Sequence, residues 1–339
     1  MIAPAMSFLA VLVALLVEQL RPLPRASRLS QAVGAWFDWT SRNLDAGRPR
    51  HAWMVWGVAV AGPALAASAL YLALRHYSLL LALVFDVAVL YLTLGFRQFS
   101  HWFTEIRDAL DRGDEHEARR LLAAWRCLDA SELPRTAVLR HVMEHSLLAA
   151  HRHVFGVFFG FVACSALGLG PAGALLYRLA DAAASHWAPR GRAGEVEESP
   201  ALRGLARRLF ELIDHVPARL TAFGFAVVGN FEEAVNGWRR DAGLWLRPNE
   251  GVILAAAAGA VGVQLGGSAP AGVTPERAAS APAAPAPPGV DELPADAALA
   301  TPGLTPQMAH LQSMVGLVWR SVVLWLFTVA LLSLANVLG

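Results

Sequence analysis

The chain has 339 residues, of which 55% are hydrophobic and 16% charged, with a formal net charge of +1 and a mean hydropathy of +0.43. Soluble domains carry about 25% charged residues, so the composition argues against an ordinary soluble domain, and the near-neutral charge argues against a nucleic-acid-binding surface. No lysine occurs, which excludes a Walker-type phosphate loop and lysine-based covalent chemistry, and Cys127 and Cys164 form neither a disulfide framework nor a zinc site by spacing.

Residues 6–17 are uncharged, lack a basic leader and run into Glu18 and Arg21. This predicts an uncleaved first span over residues 4–20. A loop with Arg21, Arg25, Arg28, Arg42, Arg48 and Arg50 follows, then a span at 53–74, a turn at Arg75-His76, and a span at 78–96 whose one charge is Asp86. About 20 apolar residues suffice to cross a bilayer as a helix.

Residues 97–152 are polar. Trp102, Ile106, Leu110, Ala118, Leu121, Leu122 and Trp125 recur at three- and four-residue steps, predicting an amphipathic helical hairpin that turns at Arg112-Gly113-Asp114, with Asp114 as a cap. Ser131 and Pro134 open a further helix that runs to Arg152. Arginine excess places the 21–52 and 97–152 loops in the cytoplasm and the Arg75 turn outside.

The uncharged block at 154–177 disturbs this alternation, because Arg178, Arg190, Arg192, Arg203, Arg207 and Arg208 follow it. Either Pro171 and the glycines between 168 and 173 split it into a re-entrant pair, the preferred reading, or these arginines lie outside. Residues 203–213 predict a surface helix, and 223–228 and 252–265 predict half-embedded elements too short to span. An Ala/Pro-rich linker over 268–306 leads to a last span at 316–338.

The expected fold is all-α, a polytopic integral membrane protein with four full spans, re-entrant or half-embedded helices and a cytoplasmic hairpin. It divides into 1–96 (three spans), 97–152 (cytoplasmic helices), 153–267 (motif-bearing core), 268–306 (linker) and 307–339 (last span).

Four clusters could carry chemistry. Glu232-Glu233 with Arg239, Arg240 and Asp241 reads as a solvated helix face or as an anion site beside the Pro248-Asn249-Glu250-Gly251 corner, where Asn249 could cap the next helix. Asp214 and Arg219 bracket Pro217 as an ion-paired corner, or Arg219 faces an anionic substrate. Glu144, His145, His151 and His153 carry a weak metal-ligand pattern, beside which Arg152 reads as an interfacial anchor. Arg97, one turn before His101, reads as an interface marker.

Several of these segments resemble, in order, motifs of the CobD/CbiB family of cobalamin-biosynthesis membrane proteins. Leu94-Gly95-Phe96-Arg97 through Ala118-Arg119 is similar to its helical hairpin. Gly170-Pro171-Ala172-Gly173-Ala174 with Tyr177-Arg178 resembles its "GP-GA—YR" motif, and Val216-Pro217-Ala218-Arg219-Leu220-Thr221-Ala222 its "PARLTA" motif. Asp241-Ala242 and Pro248-Asn249-Glu250-Gly251, with the Gly/Ala run after them, resemble its "DA…SPN-G" signature.

The resemblance implies attachment of aminopropanol, or its phosphate, to a cobyrate carboxylate as an amide. It implies an ATP-dependent reaction on a corrinoid substrate, with magnesium steadying the phosphates. Asp214, Asp241 and Asn249 would position the amine or metal, and Arg97, Arg178, Arg219, Arg239 and Arg247 would hold carboxylates or phosphate. The expected setting is the bacterial inner membrane, with the lipid bilayer as the other partner and no nucleic acid.

Three family motifs are altered. Glu18-Gln19-Leu20-Arg21-Pro22 stands near the place of an acidic "D-x-x-x-G-D-P". Leu148-Ala149 and Arg152-His153 replace "E-N-x-x-D-G", and Ala180-Asp181-Ala182-Ala183 replaces "N-T-x-D". Glu18 to Leu20 and Gly229 to Trp238 resemble instead AmpE, a related inner-membrane protein linked to beta-lactamase induction. A non-enzymatic regulatory or sensory role is therefore the alternative.

Overall fold

The computed structural model describes residues 3–20, 28–126, 129–188, 199–267 and 300–338. Arg21, Arg25, Cys127, Arg190, Arg192 and residues 268–299 of the expected linker lie outside the described residues, as does the Arg97 side chain. The described chain is helical apart from turns and two isolated β-bridges.

The helices are α1 (Ala3–Leu20), α2 (Arg28–Leu44), α3 (Pro49–Trp56), α4 (Gly62–Tyr77), α5 (Leu79–Thr93), α6 (Phe96–Asp111), α7 (Glu115–Arg126), α8 (Arg135–Ala150), α9 (Gly156–Ala166), α10 (Ala172–His186), α11 (Pro200–Ile213), α12 (His215–Val228), α13 (Phe231–Asp241), α14 (Pro248–Val261) and α15 (Met308–Leu338). Wide π-helical turns, Gly57–Ala61 and His151–Phe155, join α3 to α4 and α8 to α9 without a break. Three described helical runs are long and apolar enough to cross a membrane: Pro49–Tyr77, Arg135–Ala166 and Met308–Ala335. The Arg135–Ala166 run departs from expectation, since the sequence reading ended one helix at Arg152 and began another block at 154. The π turn carries the helix through this polar stretch. The apolar stretches near the expected first and third spans, Ser7–Glu18 and Leu79–Thr93, are shorter.

Local signals explain several boundaries. The Ser78 hydroxyl accepts from the Leu80 N–H and starts α5. The amphipathic hairpin forms as α6 and α7, turning at Gly113 with φ of 78°, and the Asp114 carboxylate caps α7 by accepting from the Glu117 N–H at 3.0 Å. Ile106, Leu110, Ala118 and Leu122 form its buried seam. Asn230 caps α13, which carries Glu232 and Glu233 in its first turn and Arg239 and Arg240 in its last, each favourable to the helix dipole.

The apolar block after residue 153 does divide at Gly168 and Gly170, both with positive φ. There the chain reverses, and α9 and α10 pack antiparallel. A Cβ built on Gly160 would lie 2.6 Å from the Gly173 carbonyl oxygen, so glycine is what lets the two backbones touch.

The first half of the 252–265 segment packs among the other helices on every side. Val252 to Ala258 of α14 are all buried, enclosed by α8, α12, α13 and α15. Its lack of charge comes from being a core helix, apolar on every side. The expected Asn249 cap is also corrected. Pro248, whose fixed φ suits the first helical position, begins α14, so Asn249 already lies in the first turn and its side chain turns elsewhere.

Residues 262–266 pair with 300–304. The Gln264 N–H donates to the Leu304 carbonyl (2.9 Å), the Thr301 N–H to the Leu265 carbonyl (2.7 Å) and the Leu304 N–H to the Gly262 carbonyl (2.9 Å). The Glu144 carboxylate accepts from the Gly266 N–H at 2.8 Å. The end of the expected linker is thus part of this clasp, with Thr301 buried.

Gly160→Val is expected to prevent the close approach of α9 and α10 and to cost about 1–3 kcal/mol through overpacking. The measurement is the thermal midpoint of the purified protein in detergent. An unchanged midpoint would contradict the described packing.

Candidate functional site

The π turn at His151–Phe155 places His151 and Arg152 toward one polar region. Such turns widen a helix locally and recur at functional sites. The residue opposite them is Asp214, at the junction of α11 and α12.

Asp214 is buried, 5% exposed, and fully hydrogen bonded. Its Oδ1 accepts from the Tyr177 hydroxyl at 2.8 Å and meets His151 Nε2 at 2.7 Å. Its Oδ2 accepts from Asn249 Nδ2 at 3.2 Å. His151 Nδ1 lies 2.9 Å from Thr221 Oγ1. Burial pushes the Asp214 carboxyl upward. The neighbouring His151 charge, hydrogen bonds from His151 and Tyr177, and the Arg152 charge together outweigh burial, holding it below the usual carboxylate range.

Beside this group runs a row of alternating charge. Arg178 Nη1 donates to Asp181 Oδ2 at 2.8 Å, and Arg152 Nε lies 3.8 Å from Asp181 Oδ1. Arg152 Nη2 donates to Glu250, which also accepts from Arg247 Nη1 at 3.0 Å. Asp181, Arg152, Glu250 and Arg247 of this row, with Asp214, border a cavity of about 300 Å³. Four guanidiniums line it, Arg152, Arg203, Arg207 and Arg247, against four carboxylates, Asp181, Glu211, Asp214 and Glu250. A volume of about 300 Å³ is at the small end of small-molecule sites.

The structure therefore brings Asp214, Asn249 and Arg247 to one cavity. Arg219 stands just behind, donating to Asn249 Oδ1 at 3.1 Å, and Arg178 reaches the cavity through Asp181. Asp241 and Arg239, at the end of α13, do not line it; Asp241 is paired with Arg240. Arg97 begins α6, and its side chain lies outside the described residues. Sequence reasoning missed Asp181, Glu250, Arg203, Arg207 and the partnership of His151 with Tyr177. Only the arginine repeat in α11 and the Tyr177-Arg178 pair hinted at them.

The histidine cluster does not assemble. His145 stacks edge-on against Trp125, with centroids 4.5 Å apart, whereas His151 faces Asp214. Among the described residues no group of three His, Cys, Asp or Glu side chains could hold a metal ion. The cavity carboxylates do not fit a protein-held magnesium ion. Asp181 is shared by two arginines, Glu250 by two arginines, and Asp214 by His151, Tyr177 and Asn249.

The fold and cavity define an α-helical protein with helices long and apolar enough to cross a membrane and a charge-lined cavity. The family model described as CobD/Cbib protein matches residues 8–286, and the chain belongs to that family. It is 32% identical over 321 residues to "Cobalamin biosynthesis protein CobD" of Stutzerimonas stutzeri (strain A1501), covering 94% of this chain and 95% of that one. It is 35% identical over 190 residues to the protein of the same name from Chromobacterium violaceum, covering 56% and 58%. No solved structure matches the chain. The comparisons support a role in cobalamin biosynthesis and give no support to the AmpE-like alternative.

A carboxylate held below its usual range stabilises the fold above its unfolded value, and this contribution is lost as pH falls through the folded value. Asp214→Asn is therefore expected to lower the thermal midpoint at neutral pH and to flatten its fall on acidification. Parallel midpoint curves for wild type and variant from neutral to strongly acidic pH would refute the assignment.

Proposed function

We propose that the cavity joins aminopropanol, or its phosphate, to a corrinoid carboxylate as an amide. The observation that carries this is one small cavity holding both an enforced carboxylate anion, Asp214, and a wall of guanidiniums, in a chain of the CobD/CbiB family. An amine that is cationic at one end and oxygen-rich at the other suits such a mixed lining.

Arg247, with Arg203 and Arg207, would hold the carboxylate or phosphate oxygens. A planar guanidinium matches either group through paired hydrogen bonds. A carboxylate held below its usual range is a weak base, so Asp214 would orient the ammonium by charge rather than remove its proton. Asn249, fixed between Asp214, the Glu211 carbonyl and Arg219, would keep that carboxylate aimed.

ATP would supply the activation that turns a carboxylate into an acyl donor. The amine, after giving one proton to solvent, would then form the new C–N bond and release a second proton as the activating phosphate leaves with the former carboxylate oxygen. The proposed setting is the bacterial inner membrane, with the cavity on the cytoplasmic, arginine-rich side.

The test is growth of a strain lacking the cobinamide-forming step under cobalamin limitation. Wild type and Arg120→Ala, an exposed ion-pair variant, are expected to restore growth. Asp214→Ala should fail, with a rate loss of about 10²-fold or more. No growth with wild type present in the membrane would sink the proposal. Growth retained by Asp214→Ala but lost in Asp241→Ala would move the chemistry to the end of α13.

A further inference from the structure

Arg152 is held on two sides within the cavity wall. Its side chain is 23% exposed, fixed at the root by the π turn and clamped between Asp181, 8% exposed, and Glu250, 22% exposed. Nε and Nη2 face these two carboxylates, which leaves Nη1 to meet a ligand. Arg178 and Arg247 close the two ends of the row.

This arrangement has the outline of a cation site that is already filled. Magnesium takes carboxylate and other oxygens at about 2.0–2.1 Å in near-octahedral order. Asp181 and Glu250 would supply such oxygens only if their flanking guanidiniums withdrew. A divalent ion added to the present row would instead stand close to several positive charges, a repulsion that grows as solvent is excluded. A guanidinium needs no such oxygen cage. It bridges the two carboxylates, each of which has a second arginine beside it, and still presents donors to an incoming anion.

We propose that Arg152 is the resident cation of the cavity, binding an anionic oxygen group of the ligand, a phosphate or a carboxylate, where a protein-held divalent ion would otherwise stand. The inference rests on the cavity being the substrate site, and it assigns there a group outside the expected set. Arg152 binds the anion and at the same time keeps Asp181 and Glu250 apart.

The test uses the purified full chain in detergent, with Mn²⁺ as the probe, read by electron paramagnetic resonance. Wild-type binding is expected to be weak and unchanged by Asp181→Asn with Glu250→Gln. Arg152→Met should gain one Mn²⁺ site at least tenfold tighter than anything in wild type, and adding Glu250→Gln should remove it. Stoichiometric wild-type binding lost in Asp181→Asn, or no gain in a folded Arg152→Met, would overturn the proposal.

Arg152→Lys keeps the charge and is the variant to use should Arg152→Met not be recovered folded. Thermal midpoints with added inorganic phosphate or acetate, against chloride at equal ionic strength, supply the second readout. A rise with phosphate assigns a phosphate ligand, and a rise with acetate assigns a carboxylate; Arg152→Lys should lose at least half of it. No rise with either anion, or a full rise in Arg152→Lys, would overturn the anion-binding role. Should wild type fail to restore cobalamin-limited growth while these measurements come out as stated, the amide-forming reading falls and the role of Arg152 stands.

Discussion

A buried carboxylate must be given partners, and Asp214 draws its partners from three parts of the chain. His151 comes from the π turn, Tyr177 from α10 and Asn249 from α14. None of these contacts is local, so satisfying one ion holds three helical segments in fixed relation. Removing one member of a buried charged group costs about 3–5 kcal/mol, whereas replacing the whole group by apolar residues is often neutral. Stability alone does not account for such a network in a chain so rich in apolar residues. Position does: the same hydrogen bonds that satisfy the Asp214 carboxylate fix it at the cavity wall.

The charge row extends this logic to the cavity wall. Arg178, Asp181, Arg152, Glu250 and Arg247 come from α10, the π turn and the segment at the start of α14, and each interior member lies between opposite charges. Two of the places where the sequence departs from the family pattern fall here, at Arg152-His153 and around Asp181. Arg152, where the family resemblance leads one to expect an acidic motif, is balanced by carboxylates on both sides.

Much of the fold was legible because it follows from periodicity and turn chemistry. The all-helical class, the α6–α7 hairpin, the Asp114 cap and the break at Gly168 and Gly170 all rest on local signals. Asp214, Asn249 and Arg247 were legible through motif resemblance. The π turn was not, because nothing in His151-Arg152-His153 distinguishes a widened turn from an ordinary one. The long Arg135–Ala166 helix was lost for the same reason. Asp181 and Glu250 looked like ordinary acidic residues with a local arginine each, because the partner they share, Arg152, lies far away along the chain. The burial of α14 among other helices was not legible because an uncharged helix looks alike whether lipid or protein surrounds it.

The clasp between residues 262–266 and 300–304 separates two matters that chain order would join. Gly266 and Ala300, far apart along the chain, stand side by side, and the backbone hydrogen bonds around them fix the start of the stretch that leads into α15. Docking of α15 is thus secured at this seam by bonds between residues 262–266 and 300–304. A change of sequence that spares those two short segments would leave the register of the last helix in place.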